Sequence, residues 1–578
     1  MRVFLLFISA LFIALAATSE AQTDYPQPPL EAYGALPRIS SAEISPDGTK
    51  VAMIANLETG TQAVVFAVGD KVIRQIRVDD AKARDVEFFD NEHFILRASE
   101  TTSTFGFRGE YEFSAAISIN IESLENNQLI SRTKGMFPAQ TGLGKIVGRG
   151  EKPGEVLMPA LMGDRGADPN LDLLVAKLDS KRGSRRVRGT PDTRDWFIGS
   201  GGRVLARERY SNSRNVYRVQ WRRNNNWTDI YEEESELLPM SIFGVMPDET
   251  GLVFIQESGE SDLVMKLGSD GEITGPVMPR KNREIERIYT DNNRAFLGVR
   301  YAGVTPDYEF LDGQLQDSFE QISALLPDAT IYLDSWSDDR SRVLYEVFDT
   351  AIGEAWIVHL REQNELSLIA RSRPSIPATA VGYMMSVTYK ARDDLAIQAI
   401  VTLPPDYNPD EFKPLPTLLM PHGGPASYDR FDFDWMAQYF ANRGYLVIQP
   451  NFRGSTGFGA DFEDASRGEW GGKMQDDLTD GLNALVAAGY VDPDRTCIVG
   501  ASYGGYAALA GAVFTPDLYQ CAIAIAPVSD LNLMLGASKR RYGRDHWVIS
   551  YWEDVMAEGD ARRKKLQAIS PINYAENA

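Results

Sequence analysis

A polar turn that delivers the chain into a short apolar strand recurs through the first two thirds of this sequence, and it limits the fold more than any other feature. The clearest copy is Ser45-Pro46-Asp47-Gly48, which leads into Lys50 to Ala55. Looser copies are Phe89-Asp90-Asn91-Glu92 before His93 to Arg97, Pro247-Asp248-Glu249-Thr250 before Leu252 to Gln256, Thr290-Asp291-Asn292-Asn293 before Ala295 to Val299, and Ser337-Asp338-Asp339 before Arg342 to Val347. Two further strands, Val156 to Leu161 and Val204 to Arg209, fill the gaps. Units spaced by roughly 40 to 60 residues have the period of propeller blades, each a small sheet that buries its faces only against its neighbours. Seven such units predict a seven-bladed β-propeller, with stacked β-sandwiches as the alternative that shares the same rhythm.

The texture changes after the Pro-containing run Arg371 to Ala380. Ala396 to Leu403, Thr417 to Met420 and Tyr445 to Gln449 read as strands, and Phe433 to Asn442 and Asp476 to Ala488 as helices. Thr496 to Val499 and Cys521 to Ala526 are near-continuous apolar runs, as expected of strands covered on both faces. The expected organisation is therefore a signal peptide over 1–21, a β-propeller over 22–375 and a doubly wound α/β domain over 376–578. Arg2, the apolar run Val3 to Ala17 and Ser19-Glu20-Ala21 carry the signal reading, with Gln22 as the first mature residue. A run of about 15 residues is short of the ~20 that span a bilayer, so an exported protein, periplasmic or secreted, without a membrane span after cleavage is predicted. The formal net charge of -22 speaks against a nucleic-acid partner, which needs a basic face. Cys497 and Cys521 lie in apolar runs and read as buried core thiols rather than a disulfide.

Gly500-Ala501-Ser502-Tyr503-Gly504 stands between the strand-like Thr496 to Val499 and the small-residue helix Gly505 to Ala512. A serine on such a sharp strand-to-helix turn has the position of a nucleophile. Its hydroxyl needs a base within reach and donors for the oxyanion formed on attack. One donor is the amide of Tyr503, the residue after the serine, and the other comes from the loop after the third strand, here His422-Gly423-Gly424-Pro425. Glycines there let main-chain amides approach a reacting carbonyl. Metal sites find no support, since HExxH and CxxC are absent and the four histidines are scattered. Gly454 to Gly459 lacks the lysine and helix of a phosphate loop, and no cofactor is expected.

Three segments, Met420 to Gly459, Val491 to Leu509 and Tyr519 to Leu531, resemble the prolyl oligopeptidase family of serine peptidases, in its acylaminoacyl-peptidase and dipeptidyl-peptidase-like branch. The resemblance is strong over Val387 to Ala578; over the rest it is architectural, the family having an N-terminal propeller and an α/β-hydrolase domain. It implies that Ser502 is the nucleophile and that the Tyr503 and Gly424 amides form the oxyanion hole. It also implies short peptide substrates, with the propeller excluding folded proteins.

One departure matters as much. In α/β-hydrolases the acid and the histidine follow the serine on loops after further strands. Here Ser529 to Ala578 reads as polar and helical, so the hydrolase domain is expected to be incomplete at its C-terminus, with catalytic Asp and His some ~80 or more residues further on, the size of two βα units. His93 and His359 lie in strands and read as structural, His422 is in the oxyanion loop, where backbone shape is a simpler explanation than a base, and Asp545 beside His546 cannot easily reach behind that imidazole while it faces Ser502. Asp530 is a candidate acid of similar weight to His546 as a base. Glu232-Glu233-Glu234 reads as a solvated acidic face rather than a binder of a substrate amine. An esterase on the same scaffold and a non-catalytic propeller module are the rival functions.

Overall fold

The computed structural model describes residues 25–578 apart from 70–71, 79–80, 104–108, 165–167, 259–260, 279–283, 409, 411–412, 545, 558 and 560–561, so the expected signal peptide lies outside the described residues. Seven sheets, antiparallel except for the short strand Gly142–Leu143 that pairs in parallel in blade two, follow one another along the chain, from Ile39–Ile44, the first strand of blade one, to Glu365–Arg371, the last of blade seven. This is the expected seven-bladed propeller. Its apolar clusters join neighbouring sheets: Val51 and Met53 of blade one pack with Leu344, Trp356 and Val358 of blade seven. The ring closes there, with Asp338 N donating to Pro46 O at 2.8 Å and Arg342 Nη1 to Gly48 O at 2.8 Å.

The recurring turn has a physical cause. Asp47 Oδ1 accepts Thr49 N at 2.9 Å, Asp248 Oδ1 accepts Thr250 N at 3.0 Å, Asp291 Oδ1 accepts Asn293 N at 2.9 Å and Asp339 Oδ1 accepts Ser341 N at 3.0 Å. In each case the aspartate side chain closes the link between the first and second strand of a blade.

Blade six departs from the expectation of strands and turns alone. Its three strands, Ile285–Thr290, Phe296–Tyr301 and Asp307–Phe310, are followed by the helix Gly313–Leu325. Asp312 caps that helix by accepting the Gln314 and Leu315 amides, and Leu315 and Ile322 are buried against Tyr308 and Tyr345. Glu232, Glu233 and Glu234 lie on Asn226–Glu234, the last strand of the four-stranded sheet of blade four, where Arg218 pairs with Glu232 at 2.7 Å.

In the hydrolase domain β1 (Tyr383–Lys390), β2 (Ala396–Leu403), β3 (Leu415–Leu419), β4 (Leu446–Asn451), β5 (Val491–Ala501) and β6 (Cys521–Ile525) form one sheet in the order β1-β2-β4-β3-β5-β6. Pairing from β4 onward is parallel. The helix α1 (Trp435–Ala441) packs over β3 and β4 on one face. The opposite face carries α2 (Lys473–Ala487) and α3 (Tyr503–Phe514), joined by α4 (Leu531–Tyr542), α5 (Trp547–Met556) and α6 (Arg562–Ala568). Among the described residues no strand follows β6, and Ile523 and Ile525 on it are 45% and 43% exposed.

Cys497 and Cys521 correct the sequence reading. They stand in register across β5 and β6, with Cα atoms 4.7 Å apart, and form a disulfide. Each cysteine was read alone as an apolar strand position, whereas the bond depends on the alignment of two parallel strands, which neither segment shows by itself.

Candidate active site

β5 carries the chain out of the sheet to Ser502, whose backbone takes φ 56° and ψ -115° before α3 begins at Tyr503. A side chain at positive φ costs of order 1–3 kcal/mol and persists only where the surroundings fix it. They do so through the Ser502 amide, which donates to Ile525 O at 3.0 Å, and through three glycines. A Cβ at Gly500 would lie 2.3 Å from the Gly504 backbone, one at Gly504 2.1 Å from Pro421 O, and one at Gly505 3.1 Å from Ile525 O. The tight crossing of strand, helix and loop therefore requires the glycine spacing, and it leaves Ser502 exposed at the tip.

Tyr503 is the first residue of α3, so its amide has no acceptor within the helix and sits at the end that favours negative charge. Its ring is buried, stacked on Phe452 at 5.3 Å and edge-on to Trp470 at 4.6 Å. The glycine loop comes to the same place. A Cβ at Gly423 would meet Ala501 O at 3.3 Å and Ser502 Cβ at 3.6 Å, and Gly424 holds φ 122°, which favours glycine. Among the described residues neither the Tyr503 nor the Gly424 amide donates to a backbone carbonyl. A cavity of about 310 Å³ opens beside this junction, lined by Met420, His422, Gly423, Trp435, Ala501 and Ile525.

The histidines are all engaged elsewhere. His422 stacks on Phe452 with centroids 4.4 Å apart, and its Nδ1 lies 2.8 Å from Gly423 O and its Nε2 2.9 Å from Ser455 Oγ. Burial pushes its pKa down to about 4, against the smaller pull of the Gly423 bond. His93 lies against Asp90 in the blade-two turn, and that hydrogen bond raises its pKa. His359 is buried in blade seven, 2.9 Å from Ser318 Oγ, and burial lowers its pKa. His546 caps α5 by accepting Val548 N at 3.3 Å, and Asp530 caps α4 by accepting Leu533 N at 2.9 Å. Among the described residues no hydrogen bond joins any of these groups to Ser502.

Sequence reading missed the struts under the site. Arg453, 3% exposed, donates from its backbone N, Nε and Nη2 to Asp477 of α2 at 2.9, 2.8 and 2.7 Å, and from Nη1 and Nη2 to Asp393 at 2.9 Å each. This anchors the segment that presents Phe452 and Ser455. The next turn is held by the propeller, where Glu284 accepts Gly457 N at 2.7 Å and Gly459 N at 2.8 Å. Tyr332 OH donates to Asp432 at 2.7 Å, and Arg430 bridges Glu286 and Asp432. Blades six and seven thus grip the loops flanking the serine, enclosing a cavity of about 380 Å³ lined by Tyr332, Asp334, Glu346, Arg430 and Asp432.

A sequence model of the Prolyl oligopeptidase family matches residues 431–578. Dipeptidyl aminopeptidase BIII of Pseudoxanthomonas mexicana is 32% identical over 279 residues, covering 47% of this chain and 40% of that protein. Dipeptidyl peptidase family member 6 of Caenorhabditis elegans is 27% identical over 310 residues, covering 49% of this chain and 41% of that protein. The matched stretch spans about two fifths of the length of these curated relatives. A puromycin-hydrolyzing peptidase of Mycobacterium tuberculosis shares the fold, with a TM-score of 0.63 over 96% of this chain and 87% of that chain, at 16% identity.

Proposed function

We propose that this chain, whose C-terminal part belongs to the prolyl oligopeptidase family, comes from a serine peptidase that hydrolyses short peptides through an acyl-enzyme on Ser502. The observation that carries the reading is the exposed serine at φ 56° on a strand-to-helix elbow, with a glycine loop against it. In the proposed reaction Ser502 Oγ attacks the peptide carbonyl as a base removes its proton. The Tyr503 and Gly424 amides hold the oxyanion, the amine leaves with a proton, and water then releases the acyl group.

The base and its orienting acid are proposed to lie in a segment beyond the described residues. Two observations support this: every histidine here is committed elsewhere, and the face of β6 next to Ser502 is uncovered, with Ile523 and Ile525 exposed. The names of the relatives make release of dipeptides from a free N-terminus the first activity to assay. Export, also proposed, is supported by the Cys497–Cys521 disulfide, a bond that persists in oxidising compartments.

The test compares a short peptide amide with the ester of the same acyl group, using the full-length protein and its Ser502→Ala variant. Amide cleavage lost in Ser502→Ala supports the peptidase. Ester turnover without amide cleavage moves the assignment to an acyl hydrolase, and equal turnover by both proteins ends the role of Ser502.

A further inference from the structure

We propose that His422 is the positioning residue of the oxyanion loop: its Nδ1–H, held on the Gly423 carbonyl, aims the Gly424 amide toward Ser502. This deepens the reading of Ser502 as nucleophile and rests on it. The Gly423 carbonyl and the Gly424 N–H are opposite ends of one planar peptide unit, so in the trans form they point in opposite directions. Fixing the oxygen therefore fixes the hydrogen. Fixing is needed because both flanking residues are glycines, whose broad choice of φ and ψ leaves the peptide free to rotate.

The imidazole is well held for this task. A carbonyl only accepts, so Nδ1, 2.8 Å from Gly423 O, carries the proton, and Nε2 is left as an acceptor 2.9 Å from Ser455 Oγ. Ser455 is fully buried, and its one hydroxyl proton lies between Nε2 and Phe452 O, the latter 2.6 Å from Oγ, while the Phe452 ring stacks on the imidazole with 17° between planes. Between the two stands Arg453, locked to Asp477 and Asp393. A rigid chain thus runs from α2 through Arg453, Ser455 and His422 to the one peptide unit whose direction matters. Because burial holds the imidazole pKa at about 4, the ring stays neutral at neutral pH and this pattern is kept.

Two substitutions in the full-length enzyme test the assignment. His422→Phe keeps the ring stacked on Phe452 and removes the donor; His422→Asn places an N–H near the position of Nδ1. Removing one oxyanion donor outright costs about 10²–10³ in kcat. A mis-aimed donor is expected to lower kcat by roughly 30-fold or more in His422→Phe, with KM within about twofold, because the lost interaction is made only in the transition state. His422→Asn should recover most of that loss. Wild-type kcat in His422→Phe, or equal kcat losses in both variants tracking equal losses of thermal stability, would overturn the proposal. Ser502→Ala run alongside separates the two claims, since turnover in that variant would remove the premise whatever His422 does.

Discussion

At the scale of single residues, the site is a set of exchanges between backbone strain and close packing. Ser502 is held at φ 56°, where glycine would rest without penalty. Ser502→Gly is therefore expected to be more stable than Ser502→Ala by about 1 kcal/mol, both being inactive, as urea denaturation of the two variants would read. Equal stabilities would mean that the elbow is unstrained. Beneath it, Asp477 is fully buried and faces Arg453. Asp477→Ala leaves Arg453 paired with Asp393 alone and should cost about 1.5–3 kcal/mol in the same measurement; a loss below about 1 kcal/mol would show that the pair carries little of the loop's stability. Gly500, Ser502 and Gly504 were legible because their spacing is local. Ser455 and Asp477 were not, since His422 lies 33 positions from the first and Arg453 24 from the second. Neither serine nor aspartate in a polar stretch advertises a distant partner.

Elements show the same division between local and distant causes. The aspartate turns that announce the blades are closed within two or three residues, which is why they stand out in sequence. Asp339 accepts the Ser337 and Ser341 hydroxyls at 2.6 and 2.8 Å, and the Ser337 bond holds its carboxyl below the usual range. Asp339→Ala should lower the unfolding free energy by about 1 kcal/mol, with little change in turnover. The helix Gly313–Leu325 was locally signalled too, by the Asp312 cap and the apolar spacing of Leu315, Phe319 and Ile322, yet it was hidden by the expectation of another strand. The disulfide was illegible for a different reason, since it depends on the register of β5 against β6. It closes a loop with a sequence separation of 24, and its reduction should cost about 3 kcal/mol on the chain-entropy account. Matching urea midpoints for oxidised and reduced protein would contradict that.

For the whole molecule, the strand rhythm disclosed a propeller and the later alternation of strands and helices a doubly wound domain, because each pattern repeats many times. Their junction was not readable, being built from contacts such as Glu284 with Gly457 that no periodicity encodes. Acidic groups collect at that junction. Burial, followed by the nearby Glu354, Asp334 and Asp432, raises the Glu346 pKa from 4.5 to about 8, and burial raises Asp334 from 3.8 to about 7. The folded state therefore binds more protons than the unfolded chain between pH 4 and 8. These groups favour folding fully below about pH 4, and their contribution is lost as the pH rises through 7 and 8. Glu346→Gln should consequently raise the Tm more at pH 8.5 than at about pH 5, and an equal shift at both would show that Glu346 is ionised in the fold throughout.

The central claim, that Ser502 is the nucleophile of an acyl-transfer site, is tested most directly by treating the full-length protein with a fluorophosphonate and mapping the adduct by mass spectrometry. Ser502 should be the one phosphonylated residue, and Ser502→Ala should stay unlabelled. A label on another residue, or equal labelling of both proteins, would contradict it.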